Sequence, residues 1–211
     1  MVKIAVLVSG GGTNLQALLD SEARGENPHG KITLVVASKP GVYALERAAK
    51  AGVESCVVSR KDYASPDSFD EALLEVLRGH GIDLVVLAGF LTILTGEMVR
   101  AYPYAILNVH PALIPAFSGP GCYGLHVHEA ALAYGVKVTG ATVHFVTEEP
   151  DGGPIVLQKA VDVLPSDTPE TLQRRIMEQC EWQLLPRAVA LFCQGRLQVE
   201  GRQVRILDGA D

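Results

Sequence analysis

The residues best placed to do chemistry are Asn108 and His110, two positions apart in Ile106-Leu107-Asn108-Val109-His110-Pro111. The apolar members of that run make it a buried strand. Side chains alternate in an extended chain, so Asn108 and His110 share one face and Val109 takes the other. Pro111 disfavours the helical region for His110 and keeps it extended. An imidazole titrates near neutrality and can carry a proton into or out of a reaction. An asparagine amide can donate to an oxyanion, an effect worth about 3–4 kcal/mol in favourable cases. A carboxylate close by would favour the charged imidazole and raise its pKa. Asp151, in Pro150-Asp151-Gly152-Gly153-Pro154, is the candidate, although an aspartate before glycine is more often a plain turn residue. No well-placed serine or cysteine nucleophile accompanies them. The set suits direct attack of an amine on a carbonyl, with Asn108 and His110 steadying the tetrahedral oxyanion. Two polar residues in one strand can also be satisfied core groups, so the elements around them decide.

Those elements alternate. Ile4–Val8 is a continuous apolar run, as in a strand buried on both faces. Ser9-Gly10-Gly11-Gly12-Thr13-Asn14 follows, and Leu15, Leu18 and Leu19 then mark one side of a helix. Strand, glycine turn and helix start gather backbone N–H groups and the positive helix end around one spot, suited to a phosphate. It is not the dinucleotide fingerprint. Leu15 stands where the third glycine belongs, and the next strand, Ile32–Ala37, ends in Ser38-Lys39 without an acid for a ribose. The two readings left are a single-phosphate cradle and a tight turn with no ligand. Further on come a helix at Leu45–Gly52, a strand at Ser55–Val58 and a helix opened by Ser65-Pro66. That helix has a stripe of Phe69, Ala72, Leu73, Val76 and Leu77. A strand at Leu84–Ala88 leads into the apolar loop Gly89–Leu94, which is either core or a wall for a flat ring. A short helix near Gly96–Ala101 precedes the Asn108 strand. This is an α/β pattern: a mainly parallel, twisted sheet with helices on both faces. Ligands bind beyond the carboxyl ends of such strands. The glycine turn, the Gly89–Leu94 loop and Asn108/His110 all fall there.

The second half changes character. Val136–Val146 and Ile155–Val163 flank the Asp151 turn and read as an antiparallel pair. His144 shares a face with Val136 and Val138. It is either a buried, satisfied histidine or a partner standing behind the catalytic groups. Ser166–Glu170 starts a long helix marked by Leu172, Ile176 and Leu184 and bent at Pro186. A terminal hairpin around Gly201-Arg202 follows. Without linker, repeat or low-complexity tract, 1–211 reads as one domain. Its 1–103 half holds the phosphate turn, and its 104–211 half holds the catalytic groups.

Net charge is −6 over 211 residues, which gives no electrostatic basis for binding nucleic acid or an anionic membrane. No apolar run is long enough to span a bilayer and no signal peptide is evident, so a cytoplasmic protein is expected. The four cysteines (Cys56, Cys122, Cys180, Cys193) are scattered and read as reduced thiols. Cys122, His126 and His128 are the rival, metal-binding use of histidine. His126-Val127-His128 would face one way in a strand, but no further ligand stands at a usual zinc spacing, and no metal is expected.

Four segments together resemble the phosphoribosylglycinamide formyltransferase family of purine synthesis. They are Val8-Ser9-Gly10-Gly11-Gly12-Thr13-Asn14-Leu15, Leu87-Ala88-Gly89-Phe90, Leu107-Asn108-Val109-His110-Pro111 with Leu113-Ile114-Pro115, and Gly140–Val146 leading into Asp151-Gly152-Gly153-Pro154. The resemblance implies a formyltransferase-like fold and transfer of a formyl group from 10-formyltetrahydrofolate, the donor substrate, to the glycinamide amine. It makes Asn108, His110 and Asp151 the catalytic trio, with Asp151 tuning the His110 proton. It assigns the ribonucleotide phosphate to Gly12, Thr13 and Asn14. It assigns the folate to Leu91, Thr92, Ile93, Leu94, Asn108, Glu148 and Glu149, and the glycinamide to Glu181. It also implies small-molecule substrates and a monomer or homodimer. The chain departs from the pattern at Thr92, where many members have arginine, at Tyr104-Ala105, where many have Gly-Arg, and near Pro66. An amine acceptor of another kind, such as an amino sugar nucleotide, or a non-catalytic nucleotide- or folate-binding protein are the alternatives.

Overall fold

A computed structural model describes residues 1–208. They fall into two compact units, residues 1–108 and 109–208. The division lies inside one strand, just after Asn108.

The first unit is built from β1 (Val2–Val8), α1 (Thr13–Ala23), β2 (Gly30–Ala37), α2 (Tyr43–Lys50), β3 (Glu54–Val57), α3 (Pro66–Gly79), β4 (Leu84–Leu87), α4 (Gly96–Ala101) and the start of β5 (Ile106–His110). The sheet order is β3-β2-β1-β4-β5, and every pairing is parallel. Ile4–Val8 of the central strand are completely buried, which is why that stretch is apolar at every position. Parallel pairing brings the strand carboxyl ends to one edge. Leu7 pairs with Leu87, and Leu87 with Asn108. The glycine turn after β1, the Gly89–Leu94 loop after β4 and Asn108 therefore share that edge. A bond ties two of them directly: the Leu91 N–H donates to Ser9 Oγ at 3.0 Å.

Helix α3 starts as its sequence dictates. Ser65 accepts from the Ser68 N–H at 3.1 Å, Ser68 returns the bond, and Pro66 sits in the first turn. Its buried face contains Phe69, Leu73 and Leu77 as expected, but Asp70 and Leu74 complete it in place of Ala72 and Val76. Asp70 is buried because its Oδ2 accepts from both the N–H and the hydroxyl of Thr95, the N-cap of α4, at 2.6 and 2.7 Å.

The second unit continues from β5 through α5 (Leu125–Tyr134), β6 (Val138–Phe145), β7 (Ile155–Asp162), α6 (Pro169–Ile176), a π turn (Met177–Glu181), α7 (Trp182–Cys193), β8 (Leu197–Glu200) and β9 (Gln203–Ile206). Strands β6 and β7 pair antiparallel, as expected, and the β8–β9 hairpin joins β7 through β9. The whole is the anticipated α/β class, parallel at first with antiparallel strands added in the C-terminal half. Two expectations change. His126-Val127-His128 lies in α5, not in a strand, so its two histidines diverge: His126 is exposed and His128 is buried. The long C-terminal helix is interrupted a turn before Pro186. The backbone widens into the π turn, and Pro186 lies inside α7. Among the described residues no helix is long and apolar enough to cross a membrane, and all four cysteines are free.

Candidate active site

In β5, Asn108 is half-buried, and Val109 and His110 are buried. His110 anchors the site in the second unit. Its Nε2 lies 2.8 Å from the Phe117 carbonyl, which can only accept, so Nε2 carries the proton. Its Nδ1 faces Asp151 Oδ2 at 3.6 Å. The other carboxylate oxygen of Asp151 lies 3.6 Å from His144 Nε2, while His144 Nδ1 is 2.9 Å from the Phe145 carbonyl. The Gly119 N–H completes the set, donating to Asp151 Oδ2 at 2.9 Å. One carboxylate thus serves two buried imidazoles and one loop amide. Each imidazole spends its other nitrogen on a backbone carbonyl, so a second proton on either ring would face Asp151.

Asp151 reaches this position through its turn. It sits at φ 54°, left-handed backbone that a non-glycine residue adopts at a cost of about 1–2 kcal/mol. Gly153 follows where the chain runs against β6, and a Cβ there would collide with the Phe145 carbonyl oxygen. Asp151 is therefore a turn residue whose carboxylate also reaches His110 and His144. The loop after His110 is pinned from below by Thr142, which is fully buried. Its hydroxyl donates to the Ala112 carbonyl at 2.7 Å and accepts from the Ile114 N–H at 3.1 Å and Gln158 Nε2 at 2.9 Å. Gln158 also donates to the Ile114 carbonyl at 3.1 Å.

Burial and charge compete in this cluster. Burial lowers the His110 pKa, Asp151 and the Phe117 carbonyl raise it, and burial prevails. Asp151 thus acts on His110 in the expected direction, but the imidazole as a whole stands below its ordinary value. Burial works to raise Asp151, yet the bond from His144, the charge of His110 and the Gly119 N–H hold it below the usual carboxylate range. His128 contributes a further buried imidazole. It is 1% exposed, neither ring nitrogen has a partner, and burial with the nearby charge of His110 pushes it down to about 4. No group of three or more His, Cys, Asp or Glu among the described residues could hold a metal ion, and His126 pairs instead with Glu129 at 2.9 Å.

In the first unit the glycine turn leads directly into α1. Gly12 caps α1 in the left-handed region, φ 71° and ψ 35°, and no side chain caps the helix start. A Cβ at Gly12 would come 2.7 Å from Ala44 Cβ, so only glycine fits.

The formyl transferase family matches residues 2–189. The phosphoribosylglycinamide formyltransferase of Haemophilus influenzae is 40% identical over 209 residues, 99% of this chain and 95% of that protein. The chain belongs to the formyl transferase family. A glycinamide ribonucleotide transformylase from Symbiobacterium toebii superposes with a TM-score of 0.93 at 49% identity, covering 99% of this chain and 95% of that one. The trifunctional purine biosynthetic protein adenosine-3 of Gallus gallus is 44% identical over 94% of this chain, which spans 19% of that longer protein.

The residues that only the family resemblance singles out are placed as follows. Leu91 and Ile93 are 60% and 70% exposed, so the loop after β4 presents apolar side chains rather than core ones, while Leu94 is buried. Thr92, between them, is half-buried. Glu148 and Glu149 are exposed on the Asp151 turn, where the Gly152 N–H donates to the Glu149 carbonyl at 3.0 Å. Glu181 is buried on the π turn, which packs on β6 and β7. Thr142, Gln158 and the loop groups Phe117 and Gly119 are contributors that residue types alone do not reveal. Their partners lie 7 to 44 positions away.

Proposed function

We propose that this chain transfers the formyl group of 10-formyltetrahydrofolate to the amine of 5'-phosphoribosylglycinamide, in cytoplasmic purine synthesis. The observation that carries the reading is the carboxylate of Asp151 set between two buried imidazoles, in a chain 40% identical to a phosphoribosylglycinamide formyltransferase over nearly all of both lengths. The amine nitrogen attacks the formyl carbon. A carbon–nitrogen bond forms, and the carbonyl oxygen gains charge. Asn108 and His110 donate to that oxygen. Nε2 of His110 is the nitrogen turned away from Asp151, so it is the one assigned to substrate, exchanging the Phe117 carbonyl for the oxyanion. Asp151 favours the protonated ring while this happens. Collapse breaks the bond from the formyl carbon to folate N10, and the proton lost by the amine ends on N10. No covalent enzyme intermediate is needed.

The exposed apolar pair Leu91 and Ile93 suits the flat pterin ring, and the Glu148–Asp151 turn offers backbone groups for its edge. Gly12, Thr13 and Asn14 receive the ribonucleotide phosphate, where backbone N–H groups and the start of an 11-residue helix favour an anion. Glu181 is assigned to the glycinamide. The test is a coupled assay with 10-formyltetrahydrofolate against glycinamide ribonucleotide, a tRNA, an amino sugar nucleotide and water. Turnover with the ribonucleotide alone is expected. Preferred turnover with another acceptor would reassign the substrate while leaving the chemistry, and no turnover with any would refute the enzyme reading.

A further inference from the structure

Helix α2 has no part in the reaction as proposed, yet it is laced to the glycine turn. Arg47 Nε donates to the Gly11 carbonyl at 2.8 Å, and Nη1 donates to Gln16 Oε1 at 2.8 Å. The guanidinium lies over the Tyr43 ring, 4.9 Å from its centroid. Gly11 and Gln16 bracket Gly12-Thr13-Asn14, so one planar cation spans the segment assigned to the phosphate. The backbone of the same helix adds to it. The Ala44 N–H donates to the Gly10 carbonyl at 3.2 Å, and Ala44 fills the space a Cβ at Gly12 would need.

A trans peptide points its N–H opposite to its carbonyl. With the Gly10 and Gly11 carbonyls held towards α2, the N–H groups of Gly11 and Gly12 are turned away from α2, on the side open to an anion. Glycines left to themselves would sample many such orientations, at a cost in entropy when a ligand fixes one. We propose that Arg47 is a positioning residue of the phosphate cradle. It presets the peptide planes of the glycine turn and so sets affinity for the phosphate of the acceptor. This role rests on the assignment of the phosphate to Gly12, Thr13 and Asn14. A lysine would keep the charge but lose the planar fork that makes two directed bonds at once.

The experiment compares glycinamide ribonucleotide with its phosphate-free riboside as acceptor, in the intact chain and in Arg47→Ala and Arg47→Lys, with thermal melting as the check on folding. The intact chain is expected to prefer the ribonucleotide strongly. Arg47→Ala should raise KM for the ribonucleotide about tenfold, the scale of one charge-assisted hydrogen bond. Its kcat, its KM for 10-formyltetrahydrofolate and its riboside kinetics should stay within about twofold. Arg47→Lys should fall nearer to the alanine variant than to the parent. If Arg47→Ala keeps the parent's preference for the phosphorylated acceptor, Arg47 does not position the cradle. The role is equally overturned if both acceptors and the folate suffer alike. If Arg47→Lys matches the parent, charge and not geometry is at work, and the positioning role is overturned. If the intact chain does not distinguish the two acceptors, the cradle reading itself fails, and the role of Arg47 falls with it.

Discussion

The two units build their sites by opposite means. In the first, the glycine turn is open to solvent and offers main-chain groups; its precision comes from what is absent, a Cβ at Gly12, and from α2 behind it. In the second, His110 and His144 are buried and Asp151 is half-buried, and their placement comes from bonds to backbone carbonyls and an amide. An anion that must arrive and leave suits the first arrangement. A proton that must be held at a set energy suits the second, because burial is what moves its pKa. The first kind of site should fail through binding, the second through turnover.

The largest expected effect lies in the second unit. His110→Ala and Asp151→Asn should each reduce kcat by about 100-fold or more, the scale of lost acid–base help, with the fold retained by circular dichroism. Steady-state kinetics with both substrates decide it; near-full formyl transfer by either variant ends the catalytic assignment. The sign of the tuning is separately measurable. Removing the Asp151 charge takes away an influence that raises His110, so an NMR titration of His110 should show a still lower pKa in Asp151→Asn. An unchanged or higher value would mean that Asp151 orients the ring without tuning it.

The contrast sharpens in substitutions of the supporting framework. Thr142→Val keeps the shape but leaves the Ile114 N–H and the Ala112 carbonyl short of their buried partner, a loss of about 2–3 kcal/mol by chemical denaturation. Gly12→Ala forces a methyl against Ala44 in left-handed backbone and should cost about 2–4 kcal/mol, strain and overpacking together. Its kinetic mark should be a raised KM for the phosphorylated acceptor with kcat preserved. A kcat defect without a KM change would erase the distinction between the two sites.

These residues also show where sequence suffices. Strand β1, the glycine turn, the Ser65-Pro66 start of α3 and the β6–β7 pair are local patterns of apolarity, turn residues and caps, and they read correctly. Helix α5 misleads because Leu125, Val127, Ala130, Ala131, Leu132 and Ala133 place apolar residues almost all round it, which hides the helical period. His126-Val127-His128 then mimics strand alternation. Asp151 is 41 residues from His110 and looks like a turn residue because it is one; its approach to His110 is a non-local pairing that spacing does not reveal, and the role proposed for it comes from the family resemblance. Arg47 and Thr142 carry no local signature, since their partners are backbone carbonyls and amides whose direction only the fold defines.

His128 tests how far burial alone shapes the second unit. Its folded pKa, about 4, lies below the ordinary histidine value near 6.5. The unfolded chain therefore binds the extra proton first on acidification. Stability from keeping this ring neutral is complete above about pH 6.5 and is lost as pH falls towards 4, up to about 3 kcal/mol. His110, also depressed, acts in the same direction. His128→Phe removes one titrating site, so its stability should fall less steeply than the parent's between pH 6.5 and 4 in denaturant titrations. Parallel slopes would show that His128 is protonated inside the fold, and that its two unpartnered nitrogens find a partner when charged.

The smallest effect belongs to the first unit. Tyr104 stands at φ 52°, a left-handed backbone held by a non-glycine residue. Left-handed backbone costs a non-glycine residue about 1–2 kcal/mol, against about 0.5–1 kcal/mol of extra chain entropy for glycine. Tyr104→Gly trades that strain against the interactions its ring makes, so stability should move by no more than about 0.5 kcal/mol. Kinetic constants should not move, since the change is just ahead of β5 and not in a group that meets substrate. A destabilised variant would show that the tyrosine ring contributes more through its packing than its backbone costs. A change in KM for the folate would tie this turn to the donor site.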